Sequence, residues 1–167
     1  MQSQPKYNLR LKRNKGFTMV ELLVSMLIFS IGMLGLGYLQ LMSMRTNQMA
    51  FMRSQASTIA YDMADRMRAN IVGTEADDYD GSPAVSDVDC EGADETCVPA
   101  DLAAYDMSSW LGSIQTLPSG SGVVAGLGGS QYSITIRWDQ DRSGATGTNC
   151  PPQSAGDLRC FQLSVAL

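Results

Sequence analysis

From Leu22 to Met44 the chain carries no charged side chain, and the residue just before that run is a glutamate. In helical form, at about 1.5 Å per residue, the uncharged run reaches about 34 Å, more than the roughly 30 Å of a bilayer's hydrocarbon core. A segment this apolar has one stable form in oil, an α-helix that satisfies its own backbone. Glu21 is then an ionisable group within an apolar helix. An acid at the centre of such a helix costs roughly 2.5–3.5 kcal/mol. A residue of this kind marks a functional site and calls for a charged partner.

The residues before the run are basic. Lys6, Arg10, Lys12, Arg13 and Lys15 precede Gly16 and include every lysine in the chain. Cations on this side of an apolar helix belong on the cytoplasmic face of a membrane, so the residues beyond the helix are exported. Beyond Gly16 only seven arginines face 17 acids, a side-chain balance of −10. A chain so acidic is a poor match for phosphate backbones, and no nucleic-acid partner is expected. An ordinary secretory signal is cleaved after its apolar region, at small residues. Here no such site closes the run.

Gly16-Phe17-Thr18-Met19-Val20-Glu21 resembles the type IV prepilin signature: a basic leader ending in glycine, then a mature chain with phenylalanine first and glutamate fifth. The resemblance implies that a prepilin peptidase cuts between Gly16 and Phe17 and methylates the Phe17 amine. It also implies that Glu21 pairs with the Phe17 ammonium of a neighbouring subunit. Met19 departs from the leucine or isoleucine common after Phe-Thr, but is equally apolar. Softer matches resemble the PilV-type pilus modification proteins: the anchor from Val24 to Leu36, the stretch from Gln55 to Asn70, Asp101-Leu102-Ala103, and the ending from Arg159 to Val165. That resemblance implies a minor pilin that primes or modifies pilus assembly and supports twitching motility and adhesion. The implied partners are the prepilin peptidase, other minor and major pilins, a tip adhesin and the inner membrane. The head is expected in the periplasm before assembly and in the extracellular pilus afterwards. A minor pseudopilin of type II secretion is the alternative, with the same Glu21 chemistry.

The expected fold class is α+β, a long N-terminal helix packed on a small antiparallel sheet with a short second helix. Residues 1–16 are leader, 17–44 the membrane or filament-core half of the helix, 45–70 its amphipathic half, and 71–167 a globular head. In the amphipathic half Met49, Met52 or Phe51, Ala56, Ile59, Ala60, Met63 and Met67 recur at three- and four-residue steps, a core-facing stripe. Gly32, Gly35 and Gly37 are tolerated membrane-helix residues or points of close packing or local melting. The helix is expected to end near Asn70, with Gly73 as its stop signal. Residues 74–99 read as an acidic loop from Glu75 to Glu95, through Asp77, Asp78, Asp80, Asp87, Asp89, Glu91 and Asp94. Its spacing does not match a calcium-binding loop, and a solvated turn-rich surface is expected. A second helix is expected from Asp101, as N-cap, to about residue 116, burying Ala103, Met107, Trp110, Leu111 and Ile114. A short strand is expected at Val123–Ala125. Gln131–Trp138 and Cys160–Leu167 alternate as half-buried antiparallel strands. Tyr132, Ile134, Ile136 and Trp138 take one face of the first, opposite Ser133, Thr135 and Arg137.

The four cysteines, exported to an oxidising compartment, read as two disulfides. Three connectivities are open. Cys90–Cys97 and Cys150–Cys160 is preferred, because each closes a short loop between turn formers. The chain has no histidine and no C-x-x-C spacing, which argues against zinc. Without histidine or facing carboxylates no catalytic constellation can be assembled. No enzyme activity, metal or cofactor is expected.

Overall fold

The computed structural model describes residues 16–91 and 97–167. The leader from Met1 to Lys15, and the Asp94 and Glu95 part of the acidic loop, lie outside the described residues. Contacts divide the chain into two units between Arg45 and Thr46. The architecture is α+β, as the patterning predicts. Its elements are α1 (Met19–Ala69), α2 (Ile71–Glu75), α3 (Pro99–Ile114), β1 (Ser121–Gly128), β2 (Gln131–Trp138) and β3 (Arg159–Ala166).

In the first unit the α1 side chains are exposed on every side, with no apolar residue from Met19 to Met44 buried. The segment is apolar all round, with a mean hydropathy of 2.2 over its most apolar window. By length and composition it is able to cross a membrane.

The second unit holds the core. Ala56, Ile59, Ala60, Met63, Ala64 and Met67 of α1 are buried against Ala103, Met107, Trp110 and Ile114 of α3 and the inner face of the sheet. Ala56, Ala60 and Ala64 fall on one helical face and are fully buried. The Trp110 indole N–H donates to the Ile59 carbonyl at 3.0 Å, which fixes α3 across α1. Met52 packs at the margin of the core, Met49 is half-buried and Phe51 is exposed, so the stripe runs through Met52 rather than Phe51. Leu111 is only half-buried, while Asp106, one helical turn from Ala103, lies inside.

The sheet is an antiparallel meander in the order β1-β2-β3. A two-residue turn joins β1 to β2 through Gly129 and Ser130, both at positive φ (63° and 59°). A tight hairpin whose twist matches its strands needs that backbone.

Several expectations are corrected. The second helix starts at Pro99, not Asp101; Val98 stands at the N-cap position and makes no side-chain cap bond. Proline is preorganised for the first helical position and lacks the amide that would need a cap. α3 ends at Ile114, short of residue 116. Gly73 is not a stop signal. It lies inside α2, and a Cβ there would come 2.6 Å from Asn70 Nδ2 and 3.0 Å from the Pro99 carbonyl. The break after Ala69 comes from Asn70, whose side-chain oxygen accepts from the Gly73 amide and so opens a new helix. β1 spans eight residues rather than three. β3 begins one residue before Cys160 and ends one before Leu167. Ser133 and Thr135 are buried rather than exposed, because β2 is flanked by a strand on each side. Gln162 Nε2 donates to Ser133 Oγ at 2.7 Å and satisfies that hydroxyl.

The acidic segment is also less solvated than its composition suggests. Tyr79 within it is fully buried, and Gly81 bridges to Val124 at the edge of β1. Asp80 accepts from the Gly126 amide, and Glu91 accepts from the Tyr105 hydroxyl.

Candidate functional site

Gly16, Phe17 and Thr18 are not helical, and α1 begins at Met19 rather than at Phe17. Thr18 is the reason. The Glu21 amide donates to Thr18 Oγ1 at 3.3 Å and to the Thr18 carbonyl at 3.1 Å. This is an N-cap: the hydroxyl meets an amide that has no partner within the helix. Sequence reading missed Thr18, although Thr18-Met19-Val20-Glu21 has the T-x-x-E spacing of a capping box. The bond between Gly16 and Phe17 therefore lies in non-helical chain, two residues before the helix. Phe17 is 78% exposed, and among the described residues nothing beyond the chain neighbours comes within 4 Å of a Cβ at Gly16.

Glu21 occupies the third helical position, where a carboxylate is favoured by the unpaired amides of the helix start. The structure thus sets Gly16, Phe17 and Glu21 within one turn of the same helix start. The ion pairs among the described residues are Arg66–Asp62, Arg66–Asp106 and Arg68–Asp65, and Glu21 takes part in none of them.

Cys90 is bonded to Cys97 and Cys150 to Cys160, with Cα atoms 5.9 Å apart in each pair. The second bridge closes a loop that is organised on one carboxylate. Asp157 Oδ2 accepts from the Gln153 and Ser154 amides at 2.9 and 2.8 Å, and Asn149 donates to Oδ1 at 3.1 Å. The Gln153 amide leads in holding the Asp157 pKa below the ordinary carboxylate range; burial opposes it, and Ser154 and Asn149 reinforce it. At Asp139 burial pulls upward, but the Ser143 and Gly144 amides outweigh it and the pKa is again lowered. A carboxylate whose folded pKa lies below its unfolded value of about 3.9 adds stability above that pH. The contribution is lost as pH falls through the folded pKa. The head's melting temperature is therefore expected to hold from pH 7 to about pH 5 and to fall below about pH 4. Asp157→Asn is expected to shallow that fall. Circular dichroism melts across this range check it, and superimposable profiles for parent and variant would exclude Asp157 as a source.

A buried polar hub joins α1, α2 and α3. Asp106 accepts from Arg66 at 2.9 Å and from the Tyr79 hydroxyl at 2.7 Å. Asn70 donates to the Tyr79 oxygen at 3.1 Å and to the Pro99 carbonyl at 2.8 Å. Burial works against the Arg66 charge, but its bonds to Asp106 and Asp62 outweigh that and raise its pKa. Burial, then the bond to Asp106, pushes the Tyr79 phenol well above its ordinary value. Every polar group in the hub is matched, so it fixes the head's geometry.

The family profile described as "Prokaryotic N-terminal methylation motif" matches residues 11–37. No curated protein and no solved structure matches the chain. The matched residues take in Gly16, Phe17, Glu21 and most of the uncharged run, so the chain carries a prepilin-type motif, which supports a type IV pilin-like protein.

Proposed function

We propose that this chain is a minor pilin that primes or modifies type IV pilus assembly, in the manner of the PilV-type proteins, and so supports twitching motility and adhesion. The observation that carries the reading is Glu21: one acid, fifth from Phe17, at the start of a helix uncharged to Met44. In this reading the prepilin peptidase cuts after Gly16 and methylates the Phe17 amine. Glu21 then meets the Phe17 ammonium of an adjacent subunit inside the filament. The acidic head, pinned by its two disulfides, contacts other minor and major pilins and a tip adhesin. The protein waits in the inner membrane with its head in the periplasm and leaves it in the growing pilus.

Mass spectrometry of the protein from a piliated host is the direct test. The expected chain begins at N-methylated Phe17. A bulky residue at Gly16 is expected to leave the uncut precursor. A wild-type chain beginning at Met1 in cells that make pili would overturn the reading. Glu21→Ala is expected to be cut normally yet to fall by at least about tenfold in sheared filaments, since removing one partner of a buried ion pair costs about 3–5 kcal/mol. Wild-type incorporation of that variant would refute the pairing. Deletion of the protein is expected to impair surface piliation. Loss of secreted proteins with piliation intact would instead assign it to a type II secretion pseudopilus.

A further inference from the structure

The two edges of the sheet differ in what their outward backbone groups meet. Antiparallel residues alternate between pairs that exchange both backbone hydrogen bonds and pairs that exchange none. The Leu167 amide donates to the Ser130 carbonyl at 2.9 Å, in the register that sets Gln131 opposite Ala166. Phe161, Leu163, Val165 and Leu167 therefore aim their backbone groups at β2 and its turn. Gln162, Ser164 and Ala166 aim theirs away from the sheet. On β1 the outward amide and carbonyl of Val124 and the outward amide of Gly126 are engaged. Gly81 and Val124 exchange bonds of 2.8 Å in both directions, and the Gly126 amide donates to Asp80 at 3.3 Å. On β3 nothing does this. Among the described residues the amides and carbonyls of Gln162, Ser164 and Ala166 have no partner, and all three residues are exposed. The edge also lacks the usual blunting devices. After Arg159, the first residue of β3, there is no charged side chain and no proline up to Leu167, and the pairing with β2 shows no register shift.

We infer that this edge binds the β3 strand of a second copy of the chain, antiparallel, about a dyad at Ser164. That register sets Ser164 opposite its own counterpart, Gln162 opposite Ala166 of the second copy, and Ala166 opposite Gln162. All three are pairs of the kind that exchange both bonds, so the outward groups of these three residues are satisfied at once. Between them Leu163 meets Val165 of the second copy, and Val165 meets Leu163. No charge is opposed anywhere along the seam. The residues after Gly16 carry a side-chain balance of −10 and the full chain one of −5, so two copies repel over most of their surface and least along this strip without charged side chains. The interface is isologous and closes as a dimer. It does not depend on the filament reading.

Cross-linking of the full chain in detergent, with its native disulfides intact, tests the register. Residues in a bonded antiparallel pair have Cα atoms about 5.5 Å apart, within the span of a disulfide. Ser164→Cys is therefore expected to form a reducible dimer under mild oxidation. Two Gln162 positions are separated by about 14 Å in this register, beyond such a bridge. Gln162→Cys alone is expected to give at least about tenfold less dimer, and Gln162→Cys with Ala166→Cys to restore it. Ser164→Lys sets two cations face to face, and is expected to lower the dimer fraction of the uncross-linked chain about tenfold in sedimentation. Equal cross-linking of Ser164→Cys and Gln162→Cys would mean that the helices, not the strands, bring copies together, and would overturn the inference. So would absence of the Ser164→Cys dimer, its appearance only as a mixed disulfide with another protein, or an unchanged dimer fraction in Ser164→Lys.

Discussion

Trp110→Ala is expected to destabilise the head by about 3–5 kcal/mol, the usual cost of emptying a fully buried aromatic site. Trp110 is completely buried and ties α3 to both α1 and β1. Its ring lies under Gly122 of β1, where a Cβ would approach Trp110 Cη2 to 2.7 Å. Its N–H holds the Ile59 carbonyl of α1. The alanine variant loses the ring's burial, leaves a cavity between helix and sheet, and gives up that bond. Since a small domain is stable by only about 5–15 kcal/mol, a large fraction of the reserve is at stake. Denaturant titration of the full chain in detergent, followed by circular dichroism, measures the loss. Trp110→Phe fills most of the volume but cannot donate, and is expected to cost less than alanine. A loss under about 1 kcal/mol for Trp110→Ala would mean that the head does not rest on this packing.

Asp106→Ala is expected to cost about 2–4 kcal/mol, by a different route. The substitution removes little apolar contact. It leaves the buried Tyr79 hydroxyl without its acceptor and Arg66 with Asp62 alone. Arg66 is part exposed, so water compensates its loss; Tyr79 is fully buried, and water does not reach it. Most of the effect should therefore pass through Tyr79. A double-mutant cycle with Tyr79→Phe checks this, since in that background Asp106→Ala should lose much of its cost. The phenol adds a pH signature. Its folded pKa is raised, so its contribution is complete below the unfolded value of about 10 and is lost as pH rises through the folded value. Alkaline destabilisation above about pH 10 is expected to be shallower in Tyr79→Phe.

The elements that can be read from residues alone are those whose signal is local. Gln131–Trp138 alternates with a period of two and forms β2 over those same residues. The methionine and alanine stripe follows the helical period and is buried as a face. Apolar anchors of α3 such as Trp110 and Ile114 are visible for the same reason. The start of α3 is misplaced because Asp101 resembles a cap while Pro99 has already set the backbone. β1 is nearly invisible, since Ser121–Gly128 is rich in glycine and takes its order from β2 and from Gly81. At the candidate site Gly16, Phe17 and Glu21 are legible as a motif. Thr18 escapes notice, although its spacing to Glu21 carries a local signal.

The membrane-competent helix, the lone acid at its head and the strand period are written in local patterning, because apolar runs, charge placement and side-chain alternation act over a few residues. The interior position of Asp106, the need for a small residue at Gly73 and the difference between the two sheet edges arise only when distant segments come together. Asp106 depends on Arg66, 40 residues away, and on Tyr79, 27 away. The occupied edge depends on Gly81, which meets Val124 only after folding. Burial and hydrogen-bond satisfaction are properties of the surroundings of a group, and those surroundings come from segments far apart along the chain.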